Sequence, residues 1–131
     1  MALRTGMIQL NVTDLAEARR FYGERLEIEL REAFGPDGPF ELALGDGPAV
    51  FVYQVARSVP VAYGEQTGVT LVLYTDDLDG TVARWRAAGV EFIPIEWSED
   101  DSGIAGCPYG RFIAFRDPFG NVLELLQPHA D

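Results

Sequence analysis

The chain of 131 residues contains one cysteine, Cys107, and one histidine, His129. A lone cysteine excludes an intrachain disulfide, which suits a reducing compartment. The single histidine lies two residues from the end of the sequence, where side chains are ordinarily mobile. Positive charge is scarce as well: 10 Lys and Arg stand against 21 Asp and Glu, a formal net charge of -11. A surface this acidic repels phosphate backbones, so nucleic acid is not an expected partner. It serves solubility and leaves room for a cationic small molecule. No apolar run approaches the ~20 residues of a membrane span. The stretch MALRTGMIQLNV, residues 1–12, carries no signal-peptide pattern. A cytoplasmic protein with no membrane partner is expected.

What is present is ordinary in amount and unusual in order. A hydrophobic fraction of 47% and a charged fraction of 24% fit a soluble globular chain. The length fits one compact domain, or two small half-domains sharing a core. An Asp-Leu pair occurs twice, at Asp14-Leu15 and Asp77-Leu78, each after a strand-like run, MIQLNVT and TLVLYTD. Ile8, Leu10 and Val12 alternate along the first run, and Leu71, Leu73 and Thr75 along the second. A helix pattern follows each pair. Leu15, Ala18, Tyr22 and Leu26 form one stripe; Leu78, Val82, Trp85 and Ala88 form the other. Asp14 with Glu17 resembles a capping box, and Gly89 fits a helix stop.

Three short strands are then expected over 28–33, 40–45 and 49–55, and three more over 91–96, 111–116 and 121–126. A long connection, residues 97–110, interrupts the second set. The order is strand, helix and three strands, stated twice, with a linker expected at 56–67. This divides one domain, 1–131, into modules at 5–58 and 66–127.

Two such modules, with NVTDLAEARRFYGERLEIEL in the first and YGRFIAFRDPFGNVLELLQ closing the second, resemble the vicinal oxygen chelate superfamily. That family includes glyoxalase I, extradiol dioxygenases, and fosfomycin- and bleomycin-resistance proteins. The resemblance implies an α+β fold of two tandem βαβββ modules, a curved eight-stranded sheet around a cavity, and a homodimer. Metal-bearing members place a ligand, usually His, seven residues before the Asp of the first Asp-Leu pair; that position is Met7 here. The second module's equivalent is Thr70. The last strand of the first module, AVFVYQV, offers neither carboxylate nor His. Only the Glu of the closing strand is matched, by Glu124. One carboxylate without imidazole makes a poor divalent site, so neither a metal nor another cofactor is expected.

Strand alternation puts Met7, Gln9 and Asn11 toward the cavity, with Thr70, Val72 and Tyr74, and with Val122, Glu124 and Leu126. In strand 49–55 either Phe51 and Tyr53 or Val52 and Gln54 face inward. Glu124 stands among four aliphatic residues and needs a partner. Gln9, Asn11, Thr70 or Tyr74 could bond it, or an Arg such as Arg111 could pair with it. In a functional role it would receive a cationic or donor group of a ligand, or act as an acid or base with a pKa raised by burial. The stretch 96–111 joins Glu96, Glu99, Asp100 and Asp101 to Trp97 and Tyr109 in a glycine-containing loop that reads either as a lid over the cavity or as an exposed loop with solvated charges. Its two rings are suited to stacking on a planar or cationic ligand. Cys107 has no basic neighbour but Arg111 and is not read as a nucleophile.

The expected function is metal-independent binding of a small molecule, of the bleomycin-resistance type, with no catalytic residue assigned. A metal-dependent lyase, isomerase or dioxygenase is the alternative. A third reading is a relative whose cavity is filled by side chains and whose role lies in partner contacts.

Overall fold

The computed structural model describes residues 2–65 and 68–130. Gln66 and Thr67, which close the linker expected at 56–67 and open the module expected at 66–127, lie outside them. Among the described residues there are nine strands in two sheets, and few helices. The chain divides into two compact units, Met1–Val59 and Pro60–Asp131. No helix among the described residues is long and apolar enough to cross a membrane.

In the first unit, β1 (Met7–Val12) leads to helix α1 (Leu15–Ala18), a π-helical continuation (Arg19–Arg25), and strands β2 (Leu30–Glu32), β3 (Phe40–Leu42) and β4 (Ala49–Gln54). The sheet order is β1-β4-β3-β2, with β1 parallel to β4. Leu10 and Val12 of β1 are buried with Val50 and Val52 of β4, and so is the whole expected helix stripe, Leu15, Ala18, Tyr22 and Leu26. Ala18, Tyr22 and Leu26 recur every four residues, a period that the wider π-helical winding keeps on one face. Burying each large side chain of this kind contributes about 1.5–3 kcal/mol.

Helix geometry at the C-terminus shows the same widening. The Leu26 N–H donates to Phe21 and the Ile28 N–H to Tyr22, each at 3.0 Å. Glu27, between them, has φ 57°, the left-handed conformation that usually selects glycine.

In the second unit, β5 (Leu71–Tyr74), helix α2 (Leu78–Ala87) and β6 (Glu91–Ile93) follow the expected pattern. Then comes a strand that the sequence reading missed, β7 (Ala105–Cys107), before β8 (Gly110–Arg116) and β9 (Val122–Pro128). The strand order is β5-β9-β8-β6, with β7 also on β8. The second unit therefore has five strands where four were expected. Cys107 pairs with Gly110, so Pro108 and Tyr109 form a two-residue hairpin tip. Gly110 cannot carry a side chain, because a Cβ there would run into the Gln127 carbonyl oxygen.

Both Asp-Leu pairs open helices. Asp14 accepts from the Glu17 amide and Asp77 from the Gly80 amide, both at 3.0 Å. Gly89, with φ 87°, ends α2 as expected.

The sheet of the second unit buries apolar side chains on both faces. Trp85 of α2 packs edge-on to Phe115, ring centroids 5.2 Å apart. On the opposite face Phe112, Ala114, Val122 and Leu126 are buried with Ile95 and Ala105. This is why β9 reads as an almost continuous apolar run.

Candidate functional site

Glu124 belongs to the face of β9 turned away from α2. Its cross-strand neighbours are Ala114 on β8 and Val72 on β5, and neither side chain can donate a hydrogen bond. The partner comes from outside the sheet: the Tyr63 hydroxyl donates to Glu124 Oε2 at 2.6 Å. That length is typical of an O–H bond to a charged carboxylate.

Tyr63 is carried by an irregular segment that opens the second unit. The Val61 N–H donates to the Gly120 carbonyl at 3.3 Å, and Arg116 Nη1 donates to the Val61 carbonyl at 2.9 Å. The Tyr63 ring packs on the apolar cluster beneath it. Burial, then the hydrogen bond to Glu124 and its negative charge, push the phenol well above the ordinary tyrosine value. Tyr63 is therefore a neutral donor.

Around this pair lies a cleft of about 500 Å³. Phe112 and Leu126 floor it, Val72 and Cys107 border it, and three exposed rings wall it. Tyr74 is 72%, Trp97 61% and Tyr109 75% exposed. Trp97 is fixed in place: its Nε1 donates to the Gly106 carbonyl at 2.9 Å and its ring lies 5.9 Å from that of Phe112.

For the stretch 96–111 the sequence leaves two readings, a lid and an exposed acidic loop. The structure makes it a pinned wall, because β7 pairs with β8, Ser98 Oγ reaches the Ile104 carbonyl at 2.7 Å, and the Ile95 amide reaches Gly103 at 2.9 Å. Glu96, Glu99, Asp100 and Asp101 are all exposed on it.

Of the residues proposed from sequence, Val72, Tyr74, Trp97, Tyr109 and Glu124 meet at this cleft. Thr70 lies just before β5, exposed, and does not line it. Met7, Gln9 and Asn11 belong to the first unit, on the exposed face of β1, where Gln9 Nε2 donates to Asn11 Oδ1 at 2.8 Å. Phe51 and Tyr53 pair with Gln9 and Asn11, while Val50 and Val52 are buried; this settles the facing of β4.

Arg111 is not the partner of Glu124. Strand alternation turns it toward α2, where it forms a two-pronged pair with Asp79, both contacts at 3.1 Å. That pairing holds Asp79 below the usual carboxylate range. His129 is tethered as well: its amide donates to the Tyr109 carbonyl at 3.0 Å, and its ring nitrogen lies 3.3 Å from the Cys107 carbonyl oxygen. The contact is with the carbonyl and not the thiol.

The sequence profile of the Glyoxalase/Bleomycin resistance protein/Dioxygenase superfamily matches residues 4–125. The chain belongs to this superfamily. A curated relative, the uncharacterized protein YetH of Bacillus subtilis (strain 168), is 26% identical over 135 residues, covering 97% of this chain and 100% of YetH. Among solved structures, TnmS3, an antibiotic binding protein from Streptomyces sp. CB03234, is similar with a TM-score of 0.67 at 24% identity. That match covers 98% of this chain and 99% of TnmS3. The fosfomycin resistance protein FosX of Listeria monocytogenes is similar with a TM-score of 0.69 at 19% identity, covering 98% and 96%. These two likenesses show the fold.

Metal-bearing branches of the superfamily raise the question of a divalent ion. The family resemblance assigns those positions to Met7 in the first unit and to Thr70 and Glu124 in the second: a thioether, a neutral hydroxyl, and a carboxylate already bonded by Tyr63. This donor chemistry does not fit such an ion. Among the described residues no three His, Cys, Asp or Glu side chains are grouped to hold one.

Proposed function

We propose that the protein is a metal-independent small-molecule binding protein of the bleomycin-resistance type. Its ligand would be a planar aromatic compound bearing a cationic or donor group. The observation that carries this reading is a single carboxylate, Glu124, set in a cleft walled by the rings of Tyr63, Tyr74, Trp97, Tyr109 and Phe112. A pocket of about 500 Å³ with apolar walls and one orienting polar group is the ordinary form of a small-molecule site. Exposed rings offer stacking surface at little conformational cost, and an acidic chain draws cations toward it. TnmS3 uses the same fold in a protein that binds an antibiotic. The reading includes a single glyoxalase-like domain of two modules, working without a cofactor as a cytoplasmic homodimer.

Calorimetric titration with 2-naphthylmethylamine tests it. Saturable binding, unchanged by added manganese, zinc or nickel and at least about tenfold weaker in Glu124→Gln, is the expected result. Absence of binding up to millimolar concentration, or binding that requires the metal, counts against the reading.

A further inference from the structure

Three strands of the second unit bring side chains of the cleft into register. Tyr74 on β5 lies opposite Leu126 on β9, and Leu126 opposite Phe112 on β8. All three line the cleft, so they form a row across one face of the sheet. The next row on that face is Val72, Glu124 and Ala114. Neighbouring strands lie about 4.8 Å apart, so the first row spans roughly 10 Å from Tyr74 to Phe112. Two residues along a strand advance roughly 7 Å, which sets Glu124 beside the middle of that row.

The two ends of the row differ. At one end Trp97 lies beside Phe112, ring centroids 5.9 Å apart, and its Nε1 donates to the Gly106 carbonyl at 2.9 Å. This ring is exposed yet fixed, so stacking on it costs little further ordering. At the other end Tyr74 is 72% exposed, on the strand that borders the sheet. Among the described residues its ring makes no hydrogen bond and no ring contact. A ligand seated on Trp97 gains Tyr74 only by reaching across the row. A single benzene ring is shorter than the row, whereas fused rings cover most of it.

We propose that Tyr74 is a specificity-determining residue of the cleft, and that the row it ends selects a fused aromatic ring system bearing its cationic group on the long edge. The inference rests on the binding function proposed above and adds the shape of the ligand. A ring system laid along the row touches Trp97 and Phe112 at one end and Tyr74 at the other. Glu124 then stands to its side, one row away, where it meets a group that leaves the long edge at a right angle. A cation carried near the end of the long axis points along the row instead. To meet Glu124 that ring system must turn, and in turning it gives up Tyr74.

The test compares 1-naphthylmethylamine, whose aminomethyl group leaves the long edge, with 2-naphthylmethylamine, whose group leaves near the end. The isomers share ring area and charge. Calorimetric titration of the wild-type protein is expected to show the 1-isomer binding roughly fivefold tighter. Tyr74→Ala changes an exposed side chain and leaves the buried core intact. It is expected to weaken the 1-isomer by about the same factor and to leave the 2-isomer nearly unchanged. Equal affinities in the wild type, a tighter 2-isomer, or a Tyr74→Ala variant that weakens both isomers alike or neither, overturns the role assigned to Tyr74 while the binding function stands. If neither isomer binds the wild-type protein, the binding function itself falls, and this inference with it.

Discussion

Gln54 and Gln127 receive the same hydrogen bond in different units. Each side-chain oxygen accepts the amide of the leucine that opens a helix, Leu15 at 3.2 Å and Leu78 at 2.9 Å. Each glutamine also ends the strand that lies parallel to the first strand of its own unit, or falls one residue beyond that pairing. Together with Asp14 and Asp77, they satisfy two of the backbone donors that every helix leaves unpaired at its start. The likeness of the two units thus extends from the strand order down to single atoms.

Removing this bond has a definite cost. Gln127→Leu is expected to destabilise the protein by about 1 kcal/mol and Gln54→Leu by somewhat less, since its bond is longer and more exposed. Gln127→Glu, which keeps an acceptor beside the helix start, is expected to stay close to wild type. Urea midpoints of the three variants check the order; leucine variants as stable as wild type would show that water replaces the glutamine without loss.

The two helix ends predict substitutions of opposite sign. Glu27 and Gly89 both adopt positive φ, 57° and 87°, but only one is glycine. Glu27→Gly is expected to stabilise by roughly 0.5–1 kcal/mol and Gly89→Ala to destabilise by about 1 kcal/mol. Thermal unfolding of the pair measures both. A loss of stability in Glu27→Gly would mean that the flexibility gained by the unfolded chain outweighs the strain relieved.

Alkaline pH should weaken the fold through Tyr63. Its folded-state pKa is raised, first by burial and then by Glu124, above the unfolded value near 10. Below that value both states hold the proton and the contribution is fully present. As pH rises past it toward the folded pKa, the unfolded chain has released a proton that the folded chain keeps, so stability falls. The urea midpoint of wild type is expected to drop more steeply above about pH 10 than that of Tyr63→Phe. Parallel curves would place the phenol in an ordinary, solvated setting.

How far the sequence led can be judged from these same residues. The helices were legible because an N-capping Asp, an apolar stripe and a stop residue agree on one period. The closing strand was legible because a carboxylate among aliphatic residues stands out, and Glu124 does border the cleft. Tyr63 left no mark: it lies 61 residues from Glu124 in a segment with no periodicity, and only tertiary packing joins them. The strand β7 is three residues containing a glycine, too short for alternation to register, and it becomes a strand because β8 is there to pair with it. The π-helical turn is invisible for a similar reason, since a spacing of four suits either winding in so short a run.

The separation between helix start and strand-end glutamine is 39 residues in the first unit and 49 in the second. That surplus falls in the second unit, where one contiguous stretch between β6 and β8 supplies Trp97, Cys107 and Tyr109 to the cleft. The rest of the lining, Tyr63, Val72, Tyr74, Phe112, Glu124 and Leu126, comes from the sheet and from the segment that opens the unit. Under the binding function proposed, exchanging that stretch would alter three residues of the cleft lining while leaving the sheet and its carboxylate in place.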